Sequence, residues 1–186
     1  MLIINNLDFA VRAEILREKG TNRAAFFRGE VDKYNWVDVG SSFLPSDITA
    51  AFLWAQLENL AAIQQRRVQL WEQYRAALGP LAAQGVGLPV LPDYATNNGH
   101  LFYLVCRDLA ERTALLAALR AANILAVFHY QALHRSPYFA ARHDGRPLPW
   151  ADRYSDCLLR LPLFVDLTDA EQQRVVAAVL TFYATR

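Results

Sequence analysis

The residues best equipped for chemistry crowd into one irregular stretch, residues 20–46. Asn22, Arg23, Arg28, Lys33, Tyr34 and Trp36 come first, followed by the adjacent pair Ser41 and Ser42 and by Pro45 and Ser46. Guanidinium forks match phosphate oxygens, and serine hydroxyls donate to them. Aromatic side chains offer flat apolar faces to bases and sugars. The mixture suits a loop that grips a phosphate-bearing, ring-containing ligand. A plainer reading stands beside it: serines initiate turns, and a solvated loop anchored by two aromatics has the same composition.

Only Lys19 and Lys33 can offer an amine nucleophile. Lys19 stands at the expected end of a helix, where a cation is favoured by the dipole alone, and Lys33 sits in the loop. Neither is assigned a catalytic role, and no catalytic residue is named. His129 and His134 occupy a strand-to-loop passage. As a metal pair they lack a third ligand at suitable spacing, so no metal is expected and a hydrogen-bonding role is. Arg142, His143 and Arg146 read as exposed loop residues.

Composition narrows the class. The chain has 186 residues, 54% hydrophobic, with net charge +1. It is long enough to bury a core, and its apolar content argues for a folded chain and against disorder. A near-neutral balance gives no electrostatic case for nucleic acid. No apolar run reaches membrane-spanning length, and no signal-peptide order opens the chain. Cys106 and Cys157 lack metal or redox spacing; two buried, reduced cysteines fit a cytoplasmic protein.

The elements that must position these residues emerge from periodicity and caps. A short strand is expected over 2–4. A helix capped by Asn6 or Asp8 runs to about Lys19, with Gly20 as its stop. Ser46 caps one long helix reaching about Leu78, apolar on nearly every face over 48–60 and amphipathic from Gln64 onward. Strands are predicted over 87–91, 101–107, 124–130 and 161–165. Asp108 caps a helix ending near Asn123, 131–150 reads as loop, and a helix covers 151–159. Thr168 and Glu171 form a capping box for a last helix. Helices alternating with short strands predict an α/β layer fold.

Several separated runs occur in a family-like order: the opening Met1 to Asn6, Glu18-Lys19-Gly20-Thr21-Asn22-Arg23, Leu44-Pro45-Ser46, Phe52-Leu53-Trp54, His129-Tyr130, Leu133-His134 and Leu161-Pro162-Leu163-Phe164. With these, essentially the whole chain resembles the DegT/DnrJ/EryC1/StrS family of sugar-nucleotide aminotransferases, which use pyridoxal phosphate. The resemblance implies the C-terminal part of a fold-type I enzyme: residues 1–45 from the end of the large domain, 46–79 a connecting helix, 80–186 a small α/β domain. It implies pyridoxal phosphate as cofactor, with Ser41 and Ser42 in place of the family's phosphate-binding asparagine motif. It assigns Asn22, Arg23, Arg28, Lys33, Tyr34, Trp36, His129 and His134 to the substrate side. A nucleotide sugar, glutamate as amino donor and a homodimer are the implied partners. The family's cofactor-holding lysine aligns upstream of Met1, which makes this chain alone inactive in that reading. The alternative is a non-catalytic binding or scaffold module that pairs with a separate N-terminal half.

Overall fold

A computed structural model describes residues 2–185, so Met1 of the opening run lies outside them. The chain divides into two compact units, Met1–Glu58 and Asn59–Arg186.

The first unit opens without the expected strand at 2–4. Nothing among the described residues pairs with that stretch, and unpaired backbone has no ladder to join. Asn6 does cap the next segment, its Oδ1 accepting from the Asp8 N–H at 3.0 Å. A 3₁₀ turn, Leu7–Phe9, leads into α1, Ala10–Arg17. Lys19 and Gly20 both take positive φ, 62° and 76°, and turn the chain sharply off the helix.

The segment beyond this turn is not wholly irregular. A short helix, α2, spans Arg23–Phe27, and the chain then returns across the end of α1. Late carbonyls of α1 need donors from beyond the helix. Ile15 O accepts from Gly20 N at 2.8 Å, Leu16 O from Ser41 N at 2.9 Å, and Arg17 O from Phe43 N at 3.1 Å. The returning backbone passes so close that a Cβ on Gly20 would lie 1.8 Å from Asp38 O, and one on Gly40 would lie 2.1 Å from Gly20 N. Only glycine fits at either side of that crossing.

Ser46 opens α3, Asp47–Glu58, as expected. Its Oγ accepts from Thr49 N at 3.3 Å, and its carbonyl accepts from Ala50 N at 2.9 Å. The single long helix of the sequence reading is two. Asn59 leaves helical geometry at φ −98°, ψ 6°, and α4 covers Leu60–Leu78. Asn competes for backbone hydrogen bonds and is a weak helix former. Here its carbonyl becomes the first acceptor of α4, taking Ile63 N at 3.1 Å.

The second unit holds the core. β1 (Phe102–Val105), β2 (Val127–Phe128) and β3 (Leu158–Leu161) form an antiparallel sheet in the order β1-β3-β2. Phe102 pairs with Leu161, Tyr103 with Arg160, and Val127 with Arg160 from the other side. α5 (Leu109–Ala121), α6 (Pro149–Cys157) and α7 (Asp169–Ala184) complete the α/β layer. The last strand falls before the expected 161–165, because Pro162 cannot donate to a ladder. The strand expected over 87–91 shrinks to one bridge, Gly87 to Val105, with Pro89 just beyond it. The strand expected over 124–130 narrows to the paired residues of β2, an edge strand.

Phe102, Leu104, Leu159 and Leu161 face the core with Tyr74, Leu78, Leu115 and Val179. Tyr74 stacks on Phe102 with centroids 5.2 Å apart, and Trp71 meets Phe102 edge-on at 5.6 Å. Each such buried side chain contributes on the order of 1.5–3 kcal/mol. Polar staples set the registration of the helices. Gln172 Nε2 donates to Leu70 O at 2.6 Å, Tyr74 OH to Pro162 O at 2.9 Å, and Arg66 pairs with Asp169 at 3.0 Å. The predicted capping box on α7 forms in full, and Asp108 caps α5 through Glu111 N at 2.8 Å.

Glu111 is buried at 5% exposure. Burial alone would raise its carboxyl. Hydrogen bonds from the Arg107 guanidinium, at 2.9 Å, and from the Arg107 N–H, at 2.8 Å, together outweigh burial and hold it below the ordinary carboxylate range. Burial also pushes the Cys106 thiol up to about 11.

Two outcomes are expected. Gly29 has φ 73° with open space around it, so Gly29→Ala should cost about 1–2 kcal/mol for left-handed backbone alone. Gly20→Ala adds a backbone collision and should cost more than about 3 kcal/mol locally. Amide exchange at Val37, Asp38 and Ser41 reads the difference: all three should lose protection in Gly20→Ala and keep it in Gly29→Ala. For Glu111, a depressed folded pKa means its stabilisation is complete above the unfolded value of about 4.3. It is lost as pH falls through the lower folded value. Denaturant titrations should find Glu111→Gln less stable than the parent at neutral pH, with the gap closing below about pH 4.

Candidate functional site

In the first unit, the tie between α1 and residues 41–43 decides where the candidate loop lies. Ser41 N donates to Leu16 O, Ser41 O accepts from Lys19 N at 3.0 Å, and Ser42 bridges Glu18. These bonds are made by backbone groups and both side chains are exposed, so the hydroxyls stay open to a ligand. The pair is thus presented on a braced segment and not on a free turn.

The rest of the loop is braced by its own side chains. Asn22 Oδ1 accepts from Asn35 N at 2.7 Å, and Asn22 N donates to Asn35 O at 3.2 Å. Asn22 thereby closes the loop on itself. Arg23 pairs with Glu18 at 2.9 Å, while its guanidinium lies 5.1 Å from the Phe27 ring centroid and 5.9 Å from that of Tyr34. Phe26 meets Tyr34 edge-on at 5.8 Å. Arg23, Phe27 and Tyr34 therefore form one cation–aromatic cluster. Trp36, 78% exposed, is held by its backbone bridge to Thr21. Lys33 is exposed.

Arg28 is differently placed. It reaches Glu30 at 2.7 Å and Glu14 at 3.0 Å, and the hydrogen bonds to Glu30 and then Glu14 raise its pKa. The same Arg28 bond holds Glu30 below its ordinary value. To reach a ligand phosphate, Arg28 must exchange one of these carboxylates. Across the loop, Arg12 pairs with Asp38.

The histidines belong to the second unit. His134 Nε2 lies 3.1 Å from Asp152 Oδ1 on α6, and its ring sits 5.1 Å from that of His143. Arg135 pairs with Asp152 at 3.3 Å and with Asp156 at 3.2 Å. Ala132 N donates to Ser155 Oγ at 3.1 Å. Residues 132–135 are therefore stapled to α6, with His134 as one of the staples. His129 is not tied in this way. Its ring rests 4.9 Å from Tyr130, and its buried Nδ1 has no hydrogen-bond partner among the described residues.

Sequence reading missed a cleft of about 350 Å³ beside these staples, lined by Leu109, Arg112, Phe128, Arg135, Ser155 and Asp156 among others. Arg112 donates to Asp156 O at 2.8 Å and lies 5.7 Å from the Phe128 ring. No local motif announces this group, because its members come from α5, β2, residues 131–135 and α6. Among the described residues, no group of three or more His, Cys, Asp or Glu side chains is arranged to hold a metal ion. No helix among them is long and apolar enough to cross a membrane.

A model of the DegT/DnrJ/EryC1/StrS aminotransferase family matches residues 1–180. The chain belongs to this family. Among solved structures it resembles DesV of S. venezuelae, with 28% identity and a TM-score of 0.84 over 99% of this chain and 46% of DesV. It resembles the aminotransferase TlmJ of Streptoalloteichus hindustanus in fold, at 23% identity and TM-score 0.80, over 98% of this chain and 46% of TlmJ. The sugar aminotransferase CalS13 of Micromonospora echinospora gives 22% identity and TM-score 0.82, over 96% of this chain and 46% of CalS13. The chain thus spans about half the length of the structures it matches. Its α/β architecture is that of these family members.

The α6 staples make a direct test. Asp152→Asn keeps the side-chain shape but weakens the bonds to His134 and Arg135. Amide exchange at Arg135 and Ser136, which close the 3₁₀ turn there, should quicken by about two- to tenfold, the worth of one net hydrogen bond. Exchange in β1 should not change.

Proposed function

We propose that this chain is part of a pyridoxal-phosphate-dependent aminotransferase acting on a nucleotide sugar. The family match over residues 1–180 carries the reading. In its sharper form the reaction converts dTDP-4-dehydro-6-deoxyglucose to dTDP-4-amino-4,6-dideoxygalactose with glutamate as donor, in the cytoplasm. The motif order of the chain supports that choice, since it resembles the transaminase of this reaction more than other branches of the family.

Residues 1–45 then belong to the large cofactor-binding domain, 46–79 to the connection, and 80–186 to the small domain. Pyridoxal phosphate, when bound, supplies the electron sink for moving an amino group. This chain's open hydroxyls at Ser41 and Ser42 fit its phosphate end, as donors on a braced segment. Neither lysine fits the covalent role: Lys19 is spent on the left-handed turn after α1, Lys33 is exposed on the loop, and neither aligns with the family's cofactor lysine. The covalent centre therefore comes from another segment.

The chain's own residues bind and orient. Arg23, with Phe27 and Tyr34 beside it, offers a charge next to aromatic faces, and Lys33 and Trp36 extend that surface for a diphosphate and a base. Asn22 keeps the loop closed through Asn35. Arg28 organises Glu14 and Glu30 and turns to a phosphate by exchange. The resemblance assigns His129 to the substrate side, and His134 holds residues 132–135 in place. α3 has no buried residue, and Phe52, Leu53, Trp54 and Leu57 are exposed. Such a face fits cover by a second subunit of a homodimer or by an N-terminal half.

The test mixes this chain with a lysine-bearing N-terminal half of a family enzyme, then adds pyridoxal phosphate, glutamate and the keto sugar nucleotide. Formation of 2-oxoglutarate that depends on both polypeptides is the expected result. Arg23→Ala should weaken sugar-nucleotide binding by about tenfold or more, the loss of one charge-assisted contact, and Ser42→Ala should lower cofactor retention instead. If neither variant changes either affinity in an active assembly, the loop is structural and the site assignment falls. An assembly that binds cofactor but never transfers nitrogen to any keto sugar overturns the reaction.

A further inference from the structure

The cleft of about 350 Å³ beside the α6 staples is lined by Leu109, Arg112, Phe128, Arg135, Ser155 and Asp156 among others. Its size falls at the small end of the range for small-molecule clefts, about 300–1,000 Å³. Hydrogen bonds fix its polar part. Arg112 Nε donates to Asp156 O at 2.8 Å, Arg135 Nη1 donates to the Asp156 carboxylate at 3.2 Å, and Ala132 N donates to Ser155 Oγ at 3.1 Å. Both guanidiniums are thus held against the same residue of the cleft wall. They are not equally committed. Arg135 shares its charge with Asp152 and Asp156. Arg112 meets a backbone carbonyl and forms no ion pair among the described residues. Its Nε–H is used, and its two Nη groups keep their donors. Ser155 accepts from Ala132 and keeps its own hydroxyl proton to donate.

An apolar wall stands beside these donors. The Phe128 ring centroid lies 5.7 Å from the Arg112 guanidinium, and Phe128 and Leu109 are both about half exposed. A cation outside any ion pair, spare donors and uncovered apolar side chains therefore line one opening. A small organic acid satisfies all three. The charge of the lining selects among anions. Two guanidiniums against one carboxylate leave one positive charge in excess, which a carboxylate balances. A phosphoryl group carries about 1.5–2 negative charges at neutral pH, and the surplus would face Asp156. We propose that this cleft binds a small carboxylic acid, its carboxylate on Arg112 and the Ser155 hydroxyl and its apolar body on Phe128 and Leu109. The site lies within the second unit and stands whether or not the amino-transfer reading holds.

Nitrogen-15 NMR of the arginine Nε–H groups and backbone amides in the intact 186-residue chain tests it. Benzoate is the probe, benzamide its uncharged counterpart, inorganic phosphate the competing anion and sodium chloride the ionic-strength control. The Arg112 signal is assigned by its loss in Arg112→Gln. The expected result is a saturating shift at Arg112 Nε and at the Ala132 amide with benzoate, no saturating shift with benzamide, and weaker binding of phosphate than of benzoate. Arg112→Gln should weaken benzoate by about tenfold or more, as read at Ala132. Arg153→Gln, on α6 but outside this cleft, should leave it unchanged. Shifts that never saturate, or that benzamide or chloride reproduces, overturn the proposal. Phosphate binding as tight as benzoate overturns the choice of a carboxylate. An unchanged benzoate affinity in Arg112→Gln leaves Arg112 as no more than a cap on α6 and also overturns it. If Arg112→Gln does not fold, Arg112→Lys takes its place: it keeps the charge but loses the planar fork, and benzoate should still weaken.

Discussion

A helix end leaves carbonyls that must find donors, and the first unit is organised around that need. α1 stops at a left-handed pair, Lys19 and Gly20, and its last carbonyls are met by backbone N–H groups from residues 20, 41 and 43. The returning chain can come that close only because Gly20 and Gly40 lack side chains. Everything between them is a closed loop of set length, and Asn22 cinches it again through Asn35. The two serines are thereby displayed on supported backbone. Binding groups on a braced loop lose less entropy on meeting a ligand than the same groups on a free one.

The second unit depends on apolar burial instead. β3 lies between two partners, and its inward residues meet Phe102, Tyr74 and Trp71. Few strands are needed, because α4, α5 and α7 cover the inner face. Several polar atoms that enter this core are paired: Tyr74 with Pro162 O, Gln172 with Leu70 O, and Glu111 Oε2 with Arg107.

The two units also differ in how much each buries. Gly20 and Thr21 are the buried residues of the first unit among those described, whereas the second carries a contiguous apolar core. A unit of that kind gains little from transfer of side chains out of water. Its order rests on backbone bonds and surface ion pairs such as Arg28 with Glu14 and Glu30. The structures that the chain matches are about twice its length.

By itself, the sequence determined what local chemistry controls. The caps at Asn6, Ser46, Asp108 and Thr168, the stop at Gly20 and the α/β alternation are written in short-range patterns, since a cap needs only its next three residues. The family was legible for a related reason: ordered motifs survive without knowledge of contacts. Strand extents were not legible, because a strand exists only where a partner pairs with it. Residues 2–4 and 87–91 have suitable side chains but no ladder, and Pro162 moved the last strand forward. The break at Asn59 was equally hidden, since no Pro or Gly marks it. The site divided along the same line. Residue types in 20–46 named the candidates, but only the tertiary structure separated Arg28, engaged by two carboxylates, from Ser41 and Ser42, left open. Likewise His134 and His129 look alike in sequence. Asp152 engages His134, whereas the buried Nδ1 of His129 has no hydrogen-bond partner among the described residues, and that difference comes from side chains far apart in the chain.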